Sequence, residues 1–332
     1  MAQQKLSYLN LYTTDPAWNL AAEQYVFDRL PRDRTYFMLW QNDNAIIIGK
    51  HQNTAAEINE QFENGVRVVR RLSGGGAVYH DMGNLNFTFI ADAGDMESIN
   101  FRLFCRPVVA ALAKIGVTAE INGRNDMTID GQKFSGNSQY LKEGRVMHHG
   151  TIMFDSNLDL VAQALHVDQE KIRAKGIASV RSRVTTVRRH MASPVTLEEF
   201  RSLLLREILE QQPGDEYVFT EEDKAQIAQL RAERYATWEW NYGQSRDCEM
   251  RRQRRFPACG SVEVHLTTDH GVIQDLHFTG DFFSVVEPEV LAEKLRGVRL
   301  EEQSLRAALA DETVSRYFSG LENGELIELL LS

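Results

Sequence analysis

The chain has 332 residues, 43% of them hydrophobic and 25% charged, enough apolar side chain for one large core or two smaller ones. No apolar run approaches the ~20 residues of a membrane span, and the opening MAQQKLSYLNLYTTD lacks the basic, apolar and small-residue regions of a secretory signal, so a cytoplasmic protein is expected. A net charge of -10 argues against general nucleic-acid binding, and the three cysteines, Cys105, Cys248 and Cys259, suit neither a disulfide framework nor a Cys-x-x-Cys metal pair.

Asp15 followed by Pro16 reads as an N-cap and first helical residue, opening a helix with a buried stripe of Trp18, Ala21, Ala22, Tyr25 and Val26. YFMLW and AIIIGK flank the turn-forming QNDN at 41–44, which predicts a hairpin of two apolar strands. VRVVRR then leads into Gly74, Gly75 and Gly76. Beyond them Leu85, Phe87 and Phe89 alternate with Asn84, Asn86 and Thr88 as in a half-buried strand, so the glycines join strand to strand. FRLFCRPVVAALAKIGV is a helical pattern in which Pro107 predicts a kink or a late start. Two short strands follow around the turn residues Asp130 and Gly131, and VMHHGTIMF is a further strand.

Farther on, Thr196 with Glu199 forms a capping-box pattern before a helix presenting Phe200, Leu203, Leu204 and Ile208. A first domain is expected over residues 1–245, closing near WEWNYGQ. The basic clusters VRRH (187–190) and MRRQRRF (250–256) read as connectors or solvated faces. After Arg255, SVEVHLTTDHGVIQDLHFTG gives two alternating strands around a turn at His270 and Gly271, and a helix runs from Pro288 to a stop at Gly297. These elements form a second, smaller α/β domain over 256–332.

The glycine run is the feature with most chemical content. Consecutive glycines adopt angles that other residues resist and expose bare N–H groups, which serve either a tight turn or a cradle for phosphate or carboxylate oxygens. Spacing excludes the G-x-x-x-x-G-K-[ST] loop, the dinucleotide G-x-G-x-x-G and the kinase signatures. Arg70 and Arg71 precede the loop with fork-shaped charge suited to phosphate, and Ser73 adds a hydroxyl. Lys133 lies in DGQKFSGNSQ, where position alone gives only a surface lysine. Adjacent His148 and His149 on a strand would face opposite sides and share no metal.

Taken together, RRLSGGGAVYHDMGNLNFTF, GRNDMTIDGQKFSGNSQY, HHGTIMFDSNLDLVAQAL, KGIASVRSRVTTV and WEWNYGQ resemble, in order and over nearly all of the chain, the lipoate-protein ligase A family. The resemblance implies a catalytic domain of the biotin/lipoate ligase type, a mixed α/β sheet with flanking helices akin to class II synthetase cores, followed by a small C-terminal domain. It implies that lipoate and MgATP become lipoyl-AMP and pyrophosphate, after which the acyl group passes to a lysine of a lipoyl domain. The partners would be lipoyl domains of 2-oxoacid dehydrogenase E2 subunits and the glycine cleavage H protein, and the cofactors ATP and Mg2+.

By the same resemblance, Lys133 would be the electrostatic clamp on carboxyl and phosphate oxygens. Arg71, Gly75, Gly76, Ala77 and Val78 would line the adenylate pocket. Lys175, Gly176, Ser179, Val180 and Arg181 would belong to a loop that orders over the nucleotide, with Arg183 beside it. Arg70, Ser73 and the 135–138 turn with Ser135, Gly136 and Ser138 would border the acyl slot, and His149, Gly150 and Thr151 would contribute to its wall. Trp40, Val78, Tyr79 and Phe87 are candidates to contact the acyl chain, although aromatic and aliphatic residues on strands are more often plain core. Residue types identify neither magnesium ligands nor a base for the acceptor amine.

The join between domains departs from the family pattern, with Arg246 where a proline is expected and a basic run after it. This makes Arg251, Arg252, Arg254 and Arg255 a candidate docking surface for an acidic lipoyl domain. The rival reading is an octanoyltransferase of the same fold that works without ATP. Its cysteine-dependent members form a thioester, and Cys105, inside a helical apolar run, is the only cysteine of the expected catalytic domain proper. The ranking of lipoate against octanoate is not legible in residue types, because apolar pockets separate such chains weakly.

Overall fold

The computed structural model describes residues 5–58, 62, 65–92, 100–123, 125–165, 183–243 and 250–332. In chain order the strands are β1 (Lys5–Asn10), β2 (Arg34–Trp40), β3 (Ala45–Ile48), β4 (Arg67–Arg70), β5 (Val78–His80), β6 (Asn84–Asp92), β7 (Glu120–Asn122), β8 (Asp126–Ile129), β9 (Gln132–Lys142), β10 (Arg145–Met153), β11 (Gly214–Glu216), β12 (Met250–Phe256), β13 (Gly260–Asp269) and β14 (Val272–Gly280). They build a mixed eight-stranded sheet in the order β11-β1-β2-β6-β10-β9-β8-β7, a small sheet β4-β3-β5, and a separate sheet β12-β13-β14.

The helix Pro16–Arg29 starts as the sequence suggests, with Asp15 accepting a hydrogen bond from the Ala17 amide at 3.1 Å. It is buried on nearly every side, not along one stripe. The reason is its position between the large and small sheets, against Tyr36, Met38, Trp40 and Ile90 of one and Ala45, Ile47 and Val69 of the other. That sandwich also corrects the expected hairpin. β2 pairs with β1 and β6, whereas β3 pairs with β4 and β5, so YFMLW and AIII belong to different sheets. Asn44, with φ +46°, redirects the chain between them, and both strands are fully bonded by other partners.

β6 is not half-buried but buried on both faces from Asn84 to Ile90. Leu85, Phe87 and Phe89 pack against Phe104 and Val108 of the helix Arg102–Lys114 and Phe200 and Leu204 of the helix Leu197–Gln211. Asn84, Asn86 and Thr88 look the other way, toward the first helix. The helix Arg102–Lys114 runs through Pro107 without a late start. The carbonyl that loses its partner there belongs to Leu103, which is exposed, so water can serve it. The capping box of Thr196 and Glu199 forms with both bonds present, and Asp130 and Gly131, at φ +50° and +76°, make the tight turn between β8 and β9.

The second unit has its own core, in which Val262, Val264 and Leu266 of β13 and Leu276 and Phe278 of β14 meet Leu291 and Leu295 and the C-terminal helix Asn323–Leu331. MRRQRRF is not a connector. It is strand β12, paired along its length with β13, and the arginines read as a docking surface are largely engaged. Arg251 pairs with Glu263, Arg254 with Glu328 and Arg255 with Asp281, because the register puts each near an acidic side chain of its own unit. The strand begins ahead of the break read at Phe256.

Candidate functional site

Where β4 ends, Leu72 to Ala77 cross back to β5, and two of the loop's three glycines answer a constraint. A Cβ on Gly74 would lie 2.3 Å from the Phe282 carbonyl oxygen, so another backbone occupies its side-chain space. Gly75 has φ +87°, in the left-handed region. Gly76 faces open space, with nothing within 4 Å of a built Cβ. Arg71 ties the loop together by donating through Nη2 to the carbonyls of Gly74 at 2.7 Å and Gly76 at 2.9 Å, while Ser138 Oγ also donates to Gly74 at 2.7 Å.

From that arginine a chain of buried polar groups runs behind the cavity wall. Arg71 Nε donates to Ser73 Oγ at 3.1 Å, and Ser73 Oγ lies 2.6 Å from His149 Nε2. His149 Nδ1 lies 3.1 and 3.2 Å from the two carboxylate oxygens of Glu23, which is 1% exposed. Thr88 donates to the same carboxylate and accepts from Trp40 Nε1 at 2.9 Å. The carboxylate only accepts, so His149 donates to it from Nδ1, which leaves Nε2 facing the Ser73 hydroxyl. Burial pushes the Arg71 pKa down to about 10, so the guanidinium remains a cation, electrically balanced by Glu23 across the chain.

Two cavities meet beside this wall, one of about 110 Å³ and one of about 700 Å³. Both are lined by Ala77, Val78, Lys133, Gly136 and Thr151. Lys133 is held rigidly at this junction. Its amide donates to the Arg183 carbonyl at 2.8 Å, its carbonyl accepts from Thr185 at 2.9 Å, and Nζ lies 2.7 Å from Asp126 across the β8–β9 pair. Among the described residues Lys133 is the cation that both cavities share, with Arg71 on the wall of the smaller and Arg183 on the wall of the larger, and this position suits it to neutralising anions that meet there.

The structure gathers Arg71, Gly75, Gly76, Ala77, Val78, Lys133, Gly136, Ser138, His149, Gly150 and Thr151 around the smaller cavity. Ser73 and Ser135 lie behind that wall, and residues 135–138 belong to the interior of β9, not to a turn. Arg70 stands apart. It is wholly buried and donates to the carbonyls of Gly49, Lys50, Gln52, Trp240 and Asn241 and to Thr54 Oγ1, so none of its fork is left for a ligand. The fork geometry that reads as phosphate recognition here fastens the helix Trp238–Tyr242 to the small sheet.

Trp40 and Val78 border the smaller cavity and Tyr79 the larger, whereas Phe87 points into the core on the far side of the sheet. Lys175, Gly176, Ser179, Val180 and Arg181 lie outside the described residues; Arg183 lines the larger cavity. His148 and His149 do face opposite sides: His148 stacks on Phe104 at 4.9 Å between centroids, and burial holds it well below the usual histidine range. Cys105 Sγ sits 3.9 Å from that histidine in the core, where burial pushes the thiol up to about 12.

Residue reasoning missed Glu23, Leu20, His80, Asn86 and Asn125 as wall or support. The available signal was polarity inside apolar context: Glu23 within the buried stripe of a helix, and Asn84, Asn86 and Thr88 on a strand between aromatics.

Comparison with known proteins agrees with this architecture. The family model described as lipoyl protein ligase A/B catalytic domain matches residues 15–209, and that described as bacterial lipoate protein ligase C-terminus matches residues 245–330. The chain is 44% identical over 327 residues to lipoate-protein ligase LplJ of Bacillus subtilis, covering 97% of this chain and 98% of that one. It is 40% identical over 319 residues to lipoate–protein ligase 1 of Staphylococcus aureus, covering 96% and 97%. Among solved structures, a lipoate-protein ligase A bound with ATP superposes with a TM-score of 0.64 at 26% identity over 73% of this chain and all of that one. The bipartite ligase of Thermoplasma acidophilum, described with its E2 lipoyl domain, gives a TM-score of 0.66 at 29% identity over 74% of this chain and all of that one.

Proposed function

The chain belongs to the lipoate-protein ligase family, and on that premise we propose that it activates free lipoate with ATP and transfers the lipoyl group to a lysine of lipoyl domains. The single observation that best supports this reading is Lys133 on the shared wall of both cavities, where two anionic substrates would meet. In the first step a lipoate carboxylate oxygen attacks the α-phosphorus, the bond to the β-phosphate oxygen breaks, and pyrophosphate leaves with the electron pair. Carboxylate and phosphate repel until their charge is neutralised. A cation about 4 Å away at an effective dielectric near 20 contributes roughly 4 kcal/mol, an upper-end figure for one lysine.

In the second step the acceptor amine nitrogen attacks the acyl carbon of lipoyl-AMP, the carbon–oxygen bond breaks, AMP departs, and the amine loses its proton. Of the residues expected at the adenylate, Ala77 and Val78 line both cavities and would contact it, whereas Arg71, Gly75 and Gly76 line only the smaller cavity, which would receive the acyl chain. Arg71 acts mainly by holding the glycine carbonyls, which fixes the loop backbone before substrate arrives. Asp126, on the wall of the larger cavity and paired with Lys133, keeps the ammonium at the junction.

ATP chemistry of this kind calls for Mg2+. Among the described residues no group of three or more His, Cys, Asp or Glu is disposed to hold a metal ion. The described donor set fits an ion carried in on the phosphates, with Asp126 the carboxylate that lines the larger cavity. Bound so, the ion would offset phosphate charge.

The octanoyltransferase alternative gains no support. Cys105 is 1% exposed, lies on the core side of the sheet away from both cavities, and has its thiol pKa raised by burial. The discriminating experiment is lipoate-dependent exchange of labelled pyrophosphate into ATP by the wild-type chain and by Lys133→Ala. Exchange that requires both lipoate and Lys133 is the expected result. A folded wild-type protein without exchange would exclude adenylate formation.

A further inference from the structure

His80 ends β5 on the wall of the smaller cavity and is 2% exposed. Its ring is oriented by a chain of amides anchored on backbone. Asn19 Nδ2 donates to the carbonyls of Thr13 at 3.0 Å and Gln41 at 2.8 Å, which identifies that atom as the nitrogen. It also lies 2.9 Å from Asn42 Oδ1, leaving Asn42 Nδ2 facing His80 Nδ1 at 3.1 Å. An amide nitrogen only donates, so Nδ1 accepts and the neutral ring carries its proton on Nε2. Burial, reinforced by the positive charge of Arg71 and the nearby His149, pushes the His80 pKa down to about 3, so the ring is neutral at physiological pH.

His80 Nε2 is buried and has no hydrogen-bond partner among the described residues. Asn86, on the same wall, presents a second buried amide atom without one. Donors left in this state carry the full cost of desolvation, so a built cavity with such groups is complementary to something that accepts. Neither residue borders the larger cavity. Lys133 stands at the junction and His80 beyond it, so an acid with its carboxylate at Lys133 brings its chain, not its carboxylate, to His80.

Resting on the ligase reading above, we propose that His80 is a specificity-determining residue: its Nε2–H donates to a sulfur of the lipoyl dithiolane ring and so favours lipoate over a plain acyl chain. Asn19 and Asn42 are positioning residues that fix which nitrogen bears the proton. Sulfur is a weak acceptor, but an alkyl chain offers none at all and leaves the donor buried and unmatched. This selects between acids that shape and hydrophobicity alone separate poorly.

The test is pyrophosphate exchange by the full-length chain with three acids: lipoate, 5-cyclopentylpentanoate, which keeps ring size and chain length with carbon in place of both sulfurs, and octanoate. The expected result in the wild-type protein is a kcat/KM for lipoate roughly tenfold above the cyclopentyl acid, although the carbon ring is the more apolar. His80→Phe should remove most of that ratio. Asn42→Leu, outside the cavity wall, should reduce it through the KM for lipoate and not through kcat. Equal efficiencies for lipoate and the cyclopentyl acid in the wild-type protein would overturn the proposal even if neither variant folds. Exchange with none of the three acids would remove the ligase reading itself, and this proposal with it.

Discussion

Glu23 and His149 lie side by side in the protein interior, on a helix and a strand 126 residues apart in sequence, with His149 Nδ1 within 3.2 Å of both carboxylate oxygens. The pair closes a chain that begins at Arg71, the residue that holds the glycine loop, and passes through Ser73. Loop geometry and cavity wall are therefore one hydrogen-bonded unit. A carboxylate between two sheets would be costly alone; its value comes from the partners that surround it.

Replacing Glu23 tests that unit. Glu23→Ala leaves His149 Nδ1 and the Thr88 hydroxyl without their acceptor and should cost about 3–5 kcal/mol of stability. Glu23→Gln keeps an oxygen of similar shape and should cost about 1–3 kcal/mol. Urea unfolding of both variants, with the lipoate KM of Glu23→Gln, measures the two effects. A Gln variant as unstable as the Ala variant would show that charge, and not hydrogen bonding, is what His149 requires.

Arg70 should behave as a structural residue. Arg70→Lys retains the charge but cannot reach six oxygens at once, so several buried carbonyls lose their donor at a cost of about 3 kcal/mol or more. The loss should appear as a lower urea midpoint and easier proteolysis near the helix Trp238–Tyr242, with substrate KM values little changed in the folded fraction. A large rise in the KM for lipoate at undiminished stability would contradict the contacts described for this side chain.

Three buried histidines make stability fall with acidity. His51 and His148 are held well below the usual histidine range and His80 at about 3, in each case chiefly by burial. Each is neutral when folded but takes a proton in the unfolded chain below about pH 6.5. The unfolded state thus binds more protons there, and the stability present above that pH is lost as pH drops, by about 1.4 kcal/mol per pH unit for each histidine. Unfolding free energy measured from pH 7 to 4.5 should decline with this sign, and His148→Phe should make the slope shallower. A pH-independent free energy over that window would mean that these rings find protons or solvent in the folded state.

Cys105 should be dispensable for chemistry. Cys105→Ala removes a small buried group at a cost of about 1 kcal/mol and should leave pyrophosphate exchange intact, because the thiol is sealed in the core beside His148. Loss of acyl transfer in a folded Cys105→Ala protein would revive the thioester route.

Much of the organisation was legible in residue order because it is local. The Asp15 cap, the Asp130–Gly131 turn and the capping box of Thr196 and Glu199 depend on atoms a few residues apart, where backbone geometry leaves few alternatives. The site blocks were legible through family resemblance, and part of what they contribute, Arg71, the glycine loop and residues of β9 and β10, lines one cavity with Lys133, whereas Arg70 does not. What residue order left undecided was which surface each strand covers. β2 and β3 look like a hairpin until their partners in two sheets are known. Arg70 and Arg71 are neighbours with the same chemistry, yet alternation along the chain sends one into a nest of carbonyls and the other to the glycine loop. Glu23 reads as an oddity in an apolar stripe until His149 arrives from β10. These outcomes rest on contacts between segments far apart in sequence, whose energies exist only once the sheets have assembled around the first helix, so tertiary structure alone decided them.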